Sequence, residues 1–181
     1  MVAILETDRL SIRPWDAADG TDAYTIYGDE DVAHWLSPVM DRVPSEAAMR
    51  TLLQQWSSED DRVLEPAGRW AVERRDDGRV IGGLALLYLP PGGEDLEIAW
   101  QLAPDVWGQG YAAEAGTALA RWALRYPGLD ELFAVVRPKN TRGAATAKRI
   151  GMEWVGETEK YHDLRLQVYR VRAGDLFNQA G

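Results

Sequence analysis

The chain has 181 residues, a net charge of −9 and no cysteine. That length fits one domain, residues 1–181, burying roughly 70 % of the unfolded surface without disulfides or metals. The missing cysteines exclude disulfides, thiolate metal sites and a cysteine acyl-enzyme, and the charge argues against a nucleic-acid partner, which needs a basic face.

The two histidines, His34 and His162, are far apart and lack metal-ligand spacing, so neither a zinc site nor a histidine-based triad is expected. The N-terminus "MVAILETDRLSIRP" has no basic region followed by an apolar one, and no stretch approaches the ~18 apolar residues of a membrane span. A cytoplasmic protein with no membrane partner and no metal is the expectation.

In chain order, "ETDRLSIRPW" alternates apolar and polar residues through Leu10 and Ile12 and predicts an edge-type strand ended by Pro14. Residues 16–36 read as one or two short helices with Asp16 as N-cap. Ser45 caps the next helix, "EAAMRTLLQQW", with Met49, Leu52, Leu53 and Trp56 on one face. Three strands follow: "RWAVERR", "RVIGGLALLYL" and "LEIAWQL". Asp77-Gly78 signals the tight turn between the first two, and "PPGG" at 90–93 the turn before the third.

Pro104 ends that third strand. A helix then runs from Gly110 to Tyr126, with Ala115, Leu119, Trp122 and Tyr126 at helical spacing. "ELFAVVRP" reads as a buried strand, "TRGAATAKRI" as a helix closed by Gly151, and "MEWVGETEKYH" with "LRLQVYRVRA" as a terminal strand pair. The order predicts a mixed α/β domain with helices on both faces of its sheet.

"WGQGYAAEA" carries the chemistry. Glycine within a helix costs ~1 kcal/mol relative to alanine. Placed at a helix N-terminus, it leaves unpartnered N–H groups open to an anion. The plain alternative is a turn followed by close helix–sheet packing. Gly108 to Ala113 also fit G-x-G-x-x-A, but a dinucleotide fold wants that turn first in a parallel sheet, and here it follows antiparallel-looking strands. No Gly-Lys-Ser/Thr occurs, so a P-loop is excluded.

Three ordered blocks then coincide: "LETDRLSIRPW", "LEIAWQLAPDVWGQGYAAEA" and "NTRGAATAKRIGMEWVGE". Together with the closing "LRLQVYRVRAGDLF" they resemble the GCN5-related N-acetyltransferases (GNAT), in the branch of the ribosomal-protein N-terminal (RimJ/RimL-like) enzymes. The resemblance implies a GNAT-like acyl-CoA N-acyltransferase fold whose mostly antiparallel central sheet is splayed. It also implies acetyl-CoA as co-substrate, lying between the third meander strand and Glu131–Arg137.

Carried onto this chain, the pyrophosphate loop would be Gly108, Gln109, Gly110, Tyr111 and Ala112. Trp107 stands where the family pattern has Gln or Arg. The pantetheine arm would pair with backbone around Gln101, Leu102 and Ala103, and Asn140 would contact the cofactor. Arg137, Lys139, Arg142, Lys148 and Arg149 cluster around the second helix, where one or two would meet the 3′-phosphate; the plain alternative is that Lys148 and Arg149 complement that helix's C-terminus.

The function implied is transfer of acetyl to a primary amine, a protein N-terminus or a small molecule, by direct attack in a ternary complex. A non-catalytic acyl-CoA-binding or regulatory domain, and an acyltransferase using another acyl-CoA or acceptor, are the alternatives; a homodimer is compatible. Strand alternation puts Glu97, Ala99 and Gln101 on one face of "LEIAWQL", which makes Glu97 the candidate base. The family's acid positions hold Ala147 and Gly143, so either Tyr161, the candidate acid, or another hydroxyl substitutes, or the thiolate leaves without help. Region 16–62 would bind the acceptor, its "DEDVAHWLSPVMDR" segment offering acids and an aromatic, while Trp35, Trp56 and Trp70 read as core.

Overall fold

The computed structural model describes residues 3–178. In chain order its elements are β1 (Leu5–Glu6), β2 (Leu10–Pro14), α1 (Gly20–Tyr27), α2 (Glu30–Leu36), α3 (Glu46–Asp60), β3 (Gly68–Arg74), β4 (Val80–Tyr88) and β5 (Leu96–Leu102). Then follow α4 (Tyr111–Ala123), β6 (Glu131–Val136), α5 (Thr141–Ile150), β7 (Glu153–Thr158), β8 (Leu166–Arg172) and α6 (Ala173–Phe177). The strands form one eight-stranded sheet ordered β1-β2-β3-β4-β5-β6-β8-β7. Every neighbouring pair is antiparallel except β5 and β6.

Local chemistry sets most boundaries. Asp16 caps a short 3₁₀ turn by accepting from the Ala18 amide, Asp29 caps α2, and Ser45 Oγ accepts from the Ala48 amide 3.1 Å away. The Asp77-Gly78 turn joins β3 to β4 with the Arg74 amide bonded to the Arg79 carbonyl. β2 is not an edge strand: the two-residue β1 folds back on it through Leu5 and Ile12. α6, which no helical pattern announced, follows β8.

Helices cover both faces of the sheet. Trp70 on β3 meets Trp122 of α4 edge-on with ring centroids 5.7 Å apart, so α4 lies over the face of Trp70, Leu84 and Trp100. The adjacent register position, Gly83, lies directly under the Tyr27 hydroxyl, so α1 covers the face of Gly83, Gln101 and Glu97. Leu10, Ile12, Ile26, Leu53, Leu86, Ile98, Leu119 and Leu132 are fully buried and form one core across both faces. Among the described residues no helix is long and apolar enough to cross a membrane, and no cluster of His, Cys, Asp and Glu could hold a metal.

Candidate active site

The sheet comes apart between β5 and β6. These strands are parallel neighbours at one position, Glu97 opposite Phe133, and diverge beyond it. The Ala103 amide bonds the Ile81 carbonyl on the β4 side. Peptide groups alternate sides along a strand, so those of Gln101 and Ala103 face β4 while those of Trp100 and Leu102 face the fork. Of the expected Gln101, Leu102 and Ala103, Leu102 alone turns its peptide group to the fork, together with Trp100. Ala103 is wholly buried, its carbonyl accepting from the Val106 amide. The Leu102 carbonyl already takes the Trp107 indole N–H at 3.0 Å.

A cavity of about 690 Å³ runs through the fork. Gly108, Gly110, Tyr111 and Ala112 line one end. Gly108 and Gly110 have φ of +77° and +82°, left-handed conformations that glycine reaches without strain. Gly110 is the N-cap of α4 and, having no side chain, leaves the first-turn amides without the cap that Asp29, Ser45 and Asn140 give α2, α3 and α5. The opening of α4 with a glycine thus exposes backbone donors at the positive end of the helix. Gln109 does not line the cavity; its carbonyl accepts from Arg9 Nη1 at 3.0 Å.

Cations flank this end. The Arg142 guanidinium stacks on the Trp107 ring, 3.6 Å from its centroid, and Arg142 and Arg149 both line the cavity. Lys139 and Lys148 are not among its lining residues. Asn140 lines it too, while its Oδ1 caps α5 by accepting from the Gly143 amide at 2.9 Å.

Glu97 stands where β5 and β6 part, and its side chain lines the cavity. Burial pushes its carboxyl up to about 8, against the opposing pull of the Val135 backbone N–H, two residues past the Phe133 contact. A carboxyl that titrates near neutrality can exchange protons at physiological pH.

Tyr161 is not brought to the cavity. Its hydroxyl donates to Asp95 Oδ2 at 2.8 Å, and its ring packs with Leu89 and Leu166. Burial, then the Asp95 bond, pushes its phenol up to about 12.

The far end of the cavity is lined by Trp35, Leu36, Val39, Met40, Leu52 and Trp56. Trp35 is half-buried and lines the cavity without joining the core, against expectation; Trp56 is buried and faces both, and Trp70 belongs to the core against Trp122. The acids of the 29–31 segment point elsewhere, Asp29 capping α2 and Glu30 pairing with Arg42. The acid that does line this end is Glu59, which pairs with Arg69 at 3.1 Å.

The residues from 9 to 153 match the family model described as the acetyltransferase (GNAT) domain. The chain is 24 % identical over 163 residues to YoaA of Bacillus subtilis (strain 168), described as an uncharacterized N-acetyltransferase, covering 89 % of each chain. Among solved structures, a GNAT-family acetyltransferase from Bacillus anthracis superposes with a TM-score of 0.76 at 20 % identity, covering 93 % of this chain and 98 % of the other. RimL, a ribosomal L7/L12 alpha-N-protein acetyltransferase in complex with coenzyme A, gives 0.76 at 17 % identity, covering 94 % and 98 %. AAC(6')-Ib in complex with ribostamycin and coenzyme A gives 0.73 at 15 % identity, covering 96 % and 98 %. With four-fifths of its length inside the family model, this chain belongs to the GNAT acetyltransferases and is an N-acetyltransferase.

Proposed function

We propose that the protein is a single-domain enzyme moving the acetyl group of acetyl-CoA to a primary amine by direct attack in a ternary complex. The observation that carries this reading is the position of Glu97 at the closed end of the fork, in a cavity that the uncapped N-terminus of α4 and an apolar stretch also line. The neighbours described with bound coenzyme A support a coenzyme A thioester as co-substrate, and RimL and AAC(6')-Ib support an amine as acceptor.

In this reading the α4 amides and Arg142 hold the phosphates, and the peptide groups of Trp100 and Leu102 hold the pantetheine arm. Glu97 takes the proton from the incoming ammonium, directly or through a water, so that the neutral amine attacks the thioester carbonyl. The tetrahedral adduct, whose nitrogen still carries one extra proton, releases that proton to water as it collapses; the C–S bond breaks and the electron pair leaves on sulfur. A thiol has a pKa of ~8.5, so the thiolate departs near neutrality without a proton donor. That suits a chain whose Tyr161 hydroxyl is bound to Asp95. A purely regulatory acyl-CoA-binding domain would have no use for a carboxyl lining the cavity at the point where the strands part.

The test is a thiol-release assay with acetyl-CoA over a panel of primary amines, run beside calorimetry of acetyl-CoA binding. Binding together with amine-dependent thiol release supports the reading. Binding without release for any amine contradicts it.

A further inference from the structure

Building on that acetyltransferase reading, we infer that the acceptor is a primary amine borne on an apolar or aromatic body carrying no second positive charge. The relationship that points there is the lining of the far end of the cavity. Trp35, Leu36, Met40 and Leu52 supply apolar surface from α2, the loop after it, and α3. Trp56 extends that surface inward, and its ring is already hemmed in: Tyr27 meets it edge-on at 5.3 Å, Trp15 lies 6.2 Å away, and the Arg69 guanidinium sits 5.5 Å from its centroid. Trp35 is different. It is half-buried, its one close aromatic neighbour is His34, met edge-on at 4.6 Å, and it lines the cavity. It is the aromatic surface on which an acceptor's body can lie.

Charge decides against the other acceptor class. A polyamine or aminoglycoside needs several carboxylates, because each extra ammonium must be paired when it leaves water. The carboxyls lining the cavity are Glu59 and Glu97. Glu59 is paired with Arg69, whose guanidinium also bonds Asp60 at 2.8 Å. Glu97 faces the amine that reacts and has nothing left for a second one. Against these stand Arg69 and Arg137, which also line the cavity, Arg137 being held by the His34 carbonyl at 2.8 Å. The pocket walls are thus not acidic, although the protein as a whole carries −9. That net charge draws cations towards the surface without selecting them at the site.

The experiment compares kcat/KM at fixed acetyl-CoA for 2-phenylethylamine, a peptide with a free N-terminal phenylalanine, a peptide with a free N-terminal aspartate, spermidine and ribostamycin. The inference predicts that one or both phenyl-bearing acceptors exceed spermidine, ribostamycin and the aspartyl peptide by about tenfold or more, the scale of one well-buried apolar group. Which phenyl acceptor is faster tells a free amine from a peptide source. Trp35→Ala is expected to lower kcat/KM for the preferred acceptor about tenfold through KM, leaving the calorimetric affinity for acetyl-CoA unchanged. A preference for spermidine or ribostamycin, or for the aspartyl peptide, overturns the inference while leaving the transferase reading intact. So does a Trp35→Ala variant that binds acetyl-CoA normally and turns over every acceptor as wild type does. Acetyl-CoA bound with no turnover of any amine overturns the proposed function, and the inference with it.

Discussion

Arg9 Nε lies 2.6 Å from Glu114 Oε2, joining the turn between β1 and β2 to the first turn of α4 across 105 residues of chain. The same guanidinium bonds the Gln109 carbonyl at 3.0 Å and covers the Tyr111 ring at 4.2 Å, while Thr7 Oγ1 donates to Glu114 Oε1 at 2.6 Å. The N-terminal hairpin therefore fastens the glycine loop at the Gln109 carbonyl.

From this clamp, Arg9→Ala is expected to raise KM for acetyl-CoA about fivefold while kcat changes little, since an ion pair this exposed contributes on the order of 1 kcal/mol. Arg9→Lys should not restore the wild-type value, because an ammonium lacks the planar fork that reaches the carboxylate and the carbonyl together. Steady-state kinetics at saturating amine measure it. An unchanged KM in Arg9→Ala contradicts a positioning role.

Gly110→Asp tests the anion site. The position has φ of +82°, which a non-glycine residue occupies at a cost of roughly 1–2 kcal/mol, and the new carboxylate would repel phosphate. The Arg9 Nη2 atom lies 3.5 Å from where its Cβ would stand, so the side chain fits beside the clamp and the fold survives. Calorimetry should find acetyl-CoA binding abolished. Near-normal affinity would place the phosphates elsewhere.

The transfer route has its own signature. With no cysteine and with both histidines outside any dyad, no acetyl-enzyme is expected, so double-reciprocal plots against the two substrates should intersect. Parallel lines, or an acetyl adduct that transfers onward to amine, would contradict direct attack.

Glu97 also predicts a dependence of stability on pH. Its carboxyl is raised from 4.5 to about 8, so the folded state holds the neutral form where the unfolded chain has already ionised. Below pH 4.5 the group costs the fold nothing. As pH rises from 4.5 to about 8 the wild type loses stability, and above that the loss is complete. The slope is at most about 1.4 kcal/mol per pH unit, reduced by the side chain's partial access to the cavity. Thermal melts should therefore show Glu97→Gln gaining on wild type across that window. Curves that stay parallel would mean an ordinary carboxyl.

Much of this architecture could be read locally. Ser45, Asp16 and Gly151 mark helix ends because a cap needs only its own few neighbours, and Asp77-Gly78 fixes a hairpin for the same reason. The site was legible where it is local too: Gly108 and Gly110 announce left-handed backbone before a helix. What escaped depends on distance along the chain. β1 is two residues long, too short for any alternation to register. The fork between β5 and β6 follows from strands not adjacent in sequence, and only the family resemblance suggested it. The Arg9–Glu114 clamp spans 105 residues and leaves no local trace. Tyr161 is a candidate only because the family's acid positions hold Ala147 and Gly143, and nothing local in the sequence shows that its hydroxyl binds Asp95.

The account rests on Glu97 as the base, and the most direct test is the pH profile of kcat for wild type and Glu97→Gln with an amine of pKa ~10.4. The wild type should rise with pH up to about 8, where its carboxyl ionises, and then level off. The variant should be slower by about tenfold or more near neutrality and keep rising beyond that point, as free amine becomes abundant, so that the gap narrows. Superimposable profiles between about pH 6 and 9 would contradict the assignment and make Glu97 a structural residue of the fork.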